Sequence, residues 1–399
     1  KEYLNLFYLQ HKMSNKNLII ISIGQIFSFT SPVVAVLLGG IIGTQLIDNN
    51  YLVTLPTALM IVGTAAGSLF ASKLMELRGR KFGFAFASIL NSLSSIICAY
   101  GISIDSFILF SLGNLSIGLS ASFAQQYRFA ASESVSKNNI PKAISLILLL
   151  GIVAALVGSN IVSISKDIFL TKYVGSYISL SFLAIIPFFF FLFYKDEDPI
   201  KKENTIKQST MKQILSNRNI QISIASAGVG YTVMSTLMTA TPISMNIMQG
   251  FSIFSTGLVI QLHVVGMFLP SLITGSLVKK FGHQKLMYSG VFLLITCIFI
   301  NYFFQTYYGY MMGLVLLGVG WNFLFVSGTS LLVLSYKKED RYLAQGLNDF
   351  VVFSSQSIGS LSAGFLLYLI GWKILNLVCI PILLLFIIFS FKNFSNNKS

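Results

Sequence analysis

Polar side chains inside long apolar stretches are the first candidates for chemistry in this chain. His263 lies about nine residues into one such stretch, roughly 13 Å deep at a rise of about 1.5 Å per residue. An imidazole there predicts a group that binds a solute or relays a proton, and a histidine hydrogen-bonded between helices is the alternative. Tyr231 and the pair Trp321 and Asn322 place aromatic faces beside hydrogen-bonding atoms, which favours a flat organic solute. The predicted solute cavity comprises Gln25, Asn114, Tyr231, Gln261, His263, Trp321 and Asn322.

Asp349 is a carboxylate about two turns into another apolar stretch. A charge at that depth is costly unless it is paired or lies in a water-filled vestibule. Asp349 therefore predicts a gate or coupling group, and the alternative is a structural salt bridge with Arg128 or Arg341. Arg128 and Glu133 lie at the end of the fourth apolar stretch, and we interpret them as gate residues rather than solute ligands.

A short basic turn holds the remaining charged candidates, including Arg78, Arg80 and Lys81. Arginines in such a turn can clamp carboxylates and helix ends in one conformation and release them in another. Glu76 and Asp349 are the predicted acceptors, and simple orientation by positive charge is the alternative. The predicted gate and loop motif on the cytoplasmic side comprises Glu76, Arg78, Gly79, Arg80, Lys81, Arg128, Glu133 and Asp349.

Membrane-spanning helices are the elements that must position these residues. The chain has 399 residues, 54% of them hydrophobic and 10% charged, whereas soluble domains are about a quarter charged. A helix needs about 20 apolar residues to cross a hydrocarbon layer of ~30 Å, and these lengths exclude the shorter strands of a barrel. The predicted fold class is an all-α membrane protein with twelve helices. The apolar stretches are 18–42, 53–73, 82–103, 106–127, 143–164, 173–194, 219–243, 255–278, 286–304, 309–335, 343–370 and 373–391.

The distribution of basic residues orients the predicted helices. The formal net charge is +14, but the lysines and arginines cluster between apolar stretches and form no basic face, which argues against nucleic-acid binding. With a cytoplasmic N-terminus, 24 of the 27 lysines and arginines fall on the cytoplasmic side. We therefore predict an even number of spans, both termini in the cytoplasm, and a monomer in a bacterial cytoplasmic membrane.

An internal repeat divides the spans into two halves. The basic turn at 72–81 matches the turn at 275–284, with Gly79 and Gly282 at equivalent places. Two six-helix halves related about a membrane-normal axis are a transporter architecture, with the solute site between them. The predicted divisions are an extension at 1–17, a first bundle at 18–194, a linker at 195–218, a second bundle at 219–391 and a tail at 392–399.

The first basic turn resembles the signature Gly-x-x-x-Asp-Arg-x-Gly-Arg-Arg of the major facilitator superfamily. Ser72 and Leu77 depart from that signature, and the positions in register are Glu76, Arg78, Gly79, Arg80 and Lys81. The resemblance covers residues 18–391 and implies secondary active transport of a small organic solute by alternating access. Four further segments are similar to a branch of bacterial permeases related to riboflavin-type vitamin importers, namely 239–242, 259–267, 320–326 and 344–350.

Two alternatives to solute import stay open from the sequence. Proton-coupled efflux of amphipathic compounds is weakened because drug antiporters of the superfamily carry an arginine in span four and a Gly-Pro step in span five. This chain has Asn114 and the pair Gly158 and Ser159 there. A non-transporting receptor or lipid-handling scaffold is the alternative of another class, although no stretch of this sequence predicts a sizeable soluble domain.

We predict no enzymatic activity, no cofactor and no metal. The sequence contains neither a Gly-x-x-x-x-Gly-Lys-Ser/Thr loop nor a His-Glu-x-x-His motif. Cys98, Cys297 and Cys379 each stand alone in an apolar stretch, without the spacing of a zinc site. The predicted partners are a small-molecule solute, a coupling proton or cation, and the lipid bilayer.

Overall fold

A computed structural model describes residues 2–48, 52, 55–196 and 209–395, and every regular element in these ranges is helical. Residue 1 of the predicted extension, residues 197–208 of the predicted linker and residues 396–399 of the predicted tail lie outside the described residues. Short 3₁₀ turns occur at Lys137–Asn139 and Lys338–Asp340, and a π-helical turn at Ile243–Met248. The α-helices are α1 (Glu2–Leu46), α2 (Leu55–Ser103), α3 (Phe107–Ala124), α4 (Tyr127–Glu133), α5 (Ile140–Ser165), α6 (Val174–Phe191), α7 (Met211–Ser216), α8 (Arg218–Pro242), α9 (Ile253–Phe268), α10 (Ser271–Phe281), α11 (His283–Phe303), α12 (Tyr307–Ser335) and α13 (Arg341–Ser395).

Ten stretches of the described residues are long and apolar enough to cross a membrane. Two of them, Leu55–Ser103 with 49 residues and Lys338–Phe391 with 54, are each long enough for two crossings of about 20 residues. A glycine with non-helical angles interrupts each stretch, Gly79 at φ 86° and ψ 162° and Gly371 at φ 73° and ψ 167°. Counting these two stretches twice gives twelve crossings within the described ranges, the same number as the sequence predicts.

The two basic turns of the predicted repeat have the same backbone conformation. Gly282, between α10 and α11, has φ 84° and ψ 163°, within two degrees of Gly79. A positive φ is readily adopted by glycine and strained for residues with a side chain. At Gly79 a Cβ would also collide with the carboxylate of Asp196. Each turn therefore requires glycine, which explains why this residue stands at the same place in both.

The chain packs as two compact units. Unit 1 comprises Lys1–Lys137, Val153–Gln208 and Glu339–Phe350. Unit 2 comprises Asn138–Ile152, Ser209–Lys338 and Val351–Ser399. The main division between the units falls at the linker. In addition, the first part of α5 belongs to unit 2 and the first part of α13 belongs to unit 1.

Serine hydroxyls in α2 are satisfied by their own helix. Ser68, Ser88 and Ser95 donate to carbonyl oxygens four residues earlier at 2.7, 3.0 and 2.9 Å. A hydroxyl without a partner is costly in hydrocarbon. This bonding explains how a serine-rich segment can cross a membrane as a helix.

Helices α2 and α3 approach each other almost backbone to backbone. A Cβ at Gly118 would collide with the carbonyl of Met60, and a Cβ at Gly63 would collide with the carbonyl of Leu115. Small residues allow the two helices to come this close, and the close approach gives dispersion contacts between them. Such contacts are needed because no hydrophobic effect drives helices together in lipid.

Replacing Gly118 by alanine is expected to destabilise the protein by about 1–3 kcal/mol, because the added methyl group forces the helix backbones apart. Gly364→Ala is the matched control, since a Cβ there has no heavy atom within 4 Å. Thermal unfolding of both variants in detergent measures the difference. A Gly118→Ala variant that melts with the wild type would contradict this helix contact.

Candidate functional site

Arg80 is the centre of a charge cluster in unit 1, and its side chain is only 3% exposed. Its Nε donates to Glu133 Oε2 at 2.8 Å, and its Nη2 donates to Glu133 Oε1 at 2.6 Å and to Gln345 Oε1 at 2.8 Å. Gln345 Nε2 donates to Glu133 Oε1 at 3.1 Å, and Arg341 Nη1 lies 3.9 Å from Glu133 Oε2. This two-pronged pairing fixes the orientation of the Glu133 carboxylate as well as its position.

Asp349 is fully buried in the first part of α13 and accepts from three side chains of unit 1. Gln126 Nε2 and Asn348 Nδ2 each donate to it at 2.9 Å, and Arg128 Nη2 forms an ion pair with its Oδ1. Arg128 and Arg341 were the two salt-bridge partners considered for Asp349, and in the structure the partner is Arg128. We call the combined set the buried charge network; its members are Arg80, Gln126, Arg128, Glu133, Arg341, Gln345, Asn348 and Asp349.

The acceptor of Arg80 differs from the sequence prediction. Arg80 bonds Glu133, and neither Glu76 nor Asp349, the acceptors predicted for the basic turn, accepts from it. Glu76 instead pairs at 2.9 Å with Lys73, whose side chain is 62% exposed. Glu133 follows Arg80 by 53 residues, so no local spacing indicates the pair.

The rest of the basic turn lies at the surface of unit 1. The side chains of Arg78 and Lys81 are exposed, and the Arg78 guanidinium lies 5.5 Å from the ring of Phe82. The backbone N–H of Lys81 donates to Asp196 Oδ1 at 3.1 Å.

Five aromatic rings form a buried group in unit 2, which we call the aromatic cluster. The ring of Tyr231 lies 5.1 Å from Trp321, 5.3 Å from Phe325 and 5.6 Å from Phe353, in edge-to-face contacts. Trp321 and Phe325 stack at 5.0 Å, and Phe268 meets Trp321 edge-on at 6.1 Å. These geometries match the electrostatically favoured arrangements of aromatic pairs. The cluster therefore presents rigid, flat apolar walls.

Asn322 ties α12 to the break between α9 and α10. Its Nδ2 donates to the Met267 carbonyl at 2.7 Å and to Ser271 Oγ at 2.8 Å. Its Oδ1 lies 2.7 Å from Thr274 Oγ1, whose single hydrogen is shared with the Pro270 carbonyl at 2.8 Å. Pro270 stands at this break and has no N–H to continue the helical bonding. Asn322, predicted to line the cavity, thus uses its amide within the protein and fixes the end of α9.

Asn322→Leu is expected to destabilise the protein by about 1–3 kcal/mol, because the Met267 carbonyl and the Ser271 hydroxyl lose a buried donor. Asn160→Leu is the control, since Asn160 is exposed and donates only to its own helix. The melting temperatures in detergent measure this difference. Equal melting temperatures for the two variants would contradict a stabilising role for the hydrogen bonds of Asn322.

The remaining predicted cavity residues lie in different environments. His263 is fully buried in α9, and its Nδ1 lies 2.8 Å from the Leu314 carbonyl oxygen. Gln261 is exposed on the same helix. Gln25 is buried in α1, and Asn114 is buried in α3 with its Nδ2 bonded at 2.9 Å to its own helix. Gln25 and Asn114 thus lie in unit 1, and the other five candidates lie in unit 2.

Open depressions contribute little to the candidate site. Two depressions of about 480 and 400 Å³ lie on unit 2, and none of the predicted cavity residues lines them. Within the described part of the chain, no group of three or more His, Cys, Asp or Glu side chains is placed to hold a metal ion. The aromatic cluster and His263 are buried in unit 2 and remain candidates for a solute site.

The sequence model of the Major Facilitator Superfamily matches residues 17–326 and 231–397. The chain belongs to the Major Facilitator Superfamily. Like its relatives it is a multi-pass membrane transporter of a small solute, and the predicted fold class and transport function are confirmed.

Two curated relatives in the superfamily match almost the whole chain. The riboflavin transporter RfnT of Brucella anthropi is 32% identical over 381 residues, which cover 94% of this chain and 95% of that protein. YdeG of Bacillus subtilis, named an MFS-type transporter, is 27% identical over 399 residues, covering 94% and 92%. Among solved structures, the human organic anion transporter MFSD10 (TETRAN) aligns with a TM-score of 0.76 over 94% of this chain and 99% of that chain. Its sequence is 11% identical, so this likeness shows the superfamily fold alone.

Several partners of the predicted site residues lie at positions that their local spacing does not single out. Gln345, Asn348 and Asp349 are spaced so that they share one face of a helix, and this spacing could have linked Gln345 to the gate. Gln126, two residues before Arg128, carried no such signal. The other rings of the aromatic cluster are three among 35 phenylalanines, and in a superfamily of apolar helices nothing in their spacing distinguishes them.

Proposed function

We propose that this transporter imports riboflavin, or a solute with the same flat heteroaromatic ring system. The observation that carries the proposal is the 32% identity, over 94% of the chain, with the riboflavin transporter of Brucella anthropi. The aromatic cluster of unit 2 supports it, because solute sites combine apolar aromatic walls with a few polar atoms that fix orientation. The stacking of one ring on an aromatic side chain contributes about 1–3 kcal/mol to the binding of flat bases.

We further propose that the buried charge network is the cytoplasmic gate. A buried ion pair is costly to break unless water or another partner replaces the one that leaves. The pairs of Arg80 with Glu133 and of Arg128 with Asp349 would therefore separate only as water enters from that side. Such bonds, made in one conformation and broken in another, are a common form of switching element.

The remaining features of the proposed carrier follow from its loops and its family. We propose that it works as a monomer in a bacterial cytoplasmic membrane, with both termini in the cytoplasm and a proton or another cation as coupling ion. The 24 of 27 lysines and arginines on one side of the predicted spans support that orientation.

Growth of a riboflavin auxotroph that lacks its own importer tests the proposal. Expression of this chain is expected to restore growth at low external riboflavin, whereas the empty vector and the Tyr231→Leu variant leave the cells dependent on high concentrations. Faster loss of riboflavin from preloaded cells, without restored growth, would favour the efflux alternative. No effect in either direction, with the protein present in the membrane, would overturn the proposed function.

A further inference from the structure

Four side-chain nitrogen atoms among the described residues of unit 2 are buried without a hydrogen-bond partner: His263 Nε2, His283 Nε2, Trp321 Nε1 and Trp372 Nε1. Two of them, His263 Nε2 and Trp321 Nε1, belong to side chains that are 0% and 1% exposed. Buried polar groups in folded proteins are nearly always hydrogen-bonded, so each exception requires an explanation. His263 and Trp321 belong to neighbouring helices, α9 and α12.

The hydrogen-bonding character of each nitrogen follows from its chemistry. His263 Nδ1 lies 2.8 Å from the carbonyl oxygen of Leu314, and a carbonyl oxygen only accepts. Nδ1 therefore carries the hydrogen, which leaves Nε2 of the neutral ring as an acceptor. The indole Nε1–H of Trp321 can only donate. This pair of side chains thus offers one buried acceptor and one buried donor, both without a partner.

Both side chains flank the seam between α9 and α12. A Cβ at Gly318 would lie 2.6 Å from the His263 carbonyl oxygen and 2.6 Å from the Met267 nitrogen, so the two helices nearly touch there. Trp321 follows Gly318 by three residues and therefore lies on the same face of α12, one turn along. A tryptophan side chain in a helix lies over the preceding turn, which brings the indole toward this contact. The ring of Phe268, from the end of α9, meets the indole at 6.1 Å.

We propose that His263 Nε2 and Trp321 Nε1 recognise the N–H and C=O groups of an imide or lactam on a flat heteroaromatic solute. A ligand that satisfies both nitrogens must carry a donor and an acceptor on one flat ring that packs against the aromatic cluster. Sugars lack the flat ring, and aromatic hydrocarbons and quaternary amines lack the donor and acceptor pair. This inference rests on the proposed function, since the isoalloxazine ring of riboflavin carries an imide N–H between two carbonyl groups.

Specificity for the imide N–H follows from the burial of its acceptor. A site built to bond a buried N–H strongly rejects an analogue that lacks it, because the acceptor is then left unpaired. His263 would accept from the imide N–H, and Trp321 would donate to a carbonyl of the same ring. A solute that pairs both nitrogens removes the penalty that each carries while it is unpartnered.

Competition by riboflavin analogues for riboflavin uptake tests the inference. Wild-type protein is expected to prefer riboflavin over riboflavin methylated at the imide nitrogen by at least about tenfold. Lumiflavin, which keeps the imide and lacks the ribityl chain, is expected to compete. In His263→Leu, the preference for riboflavin over its methylated form is expected to fall to within about twofold. The substitution and the methylation remove the same hydrogen bond, so the second change has no further effect.

Matched variants separate recognition from folding. Leu262→Ala, at a position of the same helix that is 37% exposed, is expected to keep the wild-type preference. Trp321→Phe keeps a ring and removes the N–H, so riboflavin binds more weakly while the methylated form is still rejected.

Each remaining outcome has a distinct reading. Equal uptake of both flavins by the wild type would overturn the inference and leave the proposed function standing, even where the His263→Leu protein does not fold. An undiminished preference in a folded His263→Leu protein would also overturn it. Uptake of neither flavin by the wild type would overturn the proposed function and the inference with it.

Discussion

Arg128→Ala is expected to be the most damaging single change in the buried charge network, with a loss of stability of about 3–5 kcal/mol. The substitution leaves Asp349, which is fully buried, without the cation that balances its charge. Gln126 and Asn348 still donate to that carboxylate at 2.9 Å, but neutral amides cannot replace the ion pair. The membrane level and melting temperature of the purified protein measure the effect.

Two controls distinguish an unbalanced charge from a lost contact. The double variant Arg128→Gln with Asp349→Asn removes both charges and is expected to recover most of the stability, because neutral partners of similar shape avoid the desolvation of an unpaired ion. Asp167→Asn removes the partner of Lys166 in an exposed pair and is expected to change stability by less than about 1 kcal/mol. A double variant as unstable as Arg128→Ala would contradict the electrostatic explanation.

The double variant also tests the proposed gate. Once folded, it has lost an ion pair that must break and re-form during each transport cycle under our proposal. Its maximal uptake rate is therefore expected to change while its apparent affinity for the solute stays near that of the wild type. A large change in affinity with an unchanged rate would place this pair at the solute site instead.

Tyr231→Leu is expected to raise the KM for riboflavin uptake roughly 10- to 100-fold, the equivalent of about 1–3 kcal/mol of lost stacking. Tyr231 is the ring that contacts Trp321, Phe325 and Phe353, so its removal disorders the walls on which the solute ring stacks. Uptake kinetics at matched membrane levels of protein measure the change.

Tyr231→Phe keeps the ring and is expected to leave KM within a few-fold of wild type, which separates the ring from its hydroxyl. Phe365→Ala, at a position of unit 2 that is 69% exposed, is the control for loss of an aromatic residue elsewhere. If Tyr231→Leu lowers the protein level and leaves KM unchanged, the aromatic cluster is a packing core and the solute binds elsewhere.

Much of this fold could be predicted because the membrane imposes strong local rules. Apolar stretches of spanning length predict the helices, and Gly79 and Gly282 mark turns that only a residue free to adopt positive φ can make. Their shared conformation is the physical basis of the repeat read from sequence. The exchange of parts of α5 and α13 between the units was not predictable, because it depends on tertiary packing and not on composition.

The orientation of polar side chains was harder to predict. A helix that is apolar all round has no amphipathic face to show which side meets protein, so Asn114, Gln261 and Asn322 looked alike in the sequence. In the structure Asn114 bonds its own helix, Gln261 is exposed, and Asn322 spans a helix break. The partner of Asp349 was easier to predict, because a buried carboxylate requires a nearby cation. Arg128 was one of the two arginines considered as that cation.

Riboflavin uptake by the purified protein in liposomes is the most direct test of the central claim. Liposomes with wild-type protein are expected to accumulate labelled riboflavin faster than protein-free liposomes, and preloading with unlabelled riboflavin is expected to accelerate that entry by exchange. Protein that is folded and inserted, yet moves no riboflavin under proton or sodium gradients of either direction, would contradict the claim that this chain carries riboflavin.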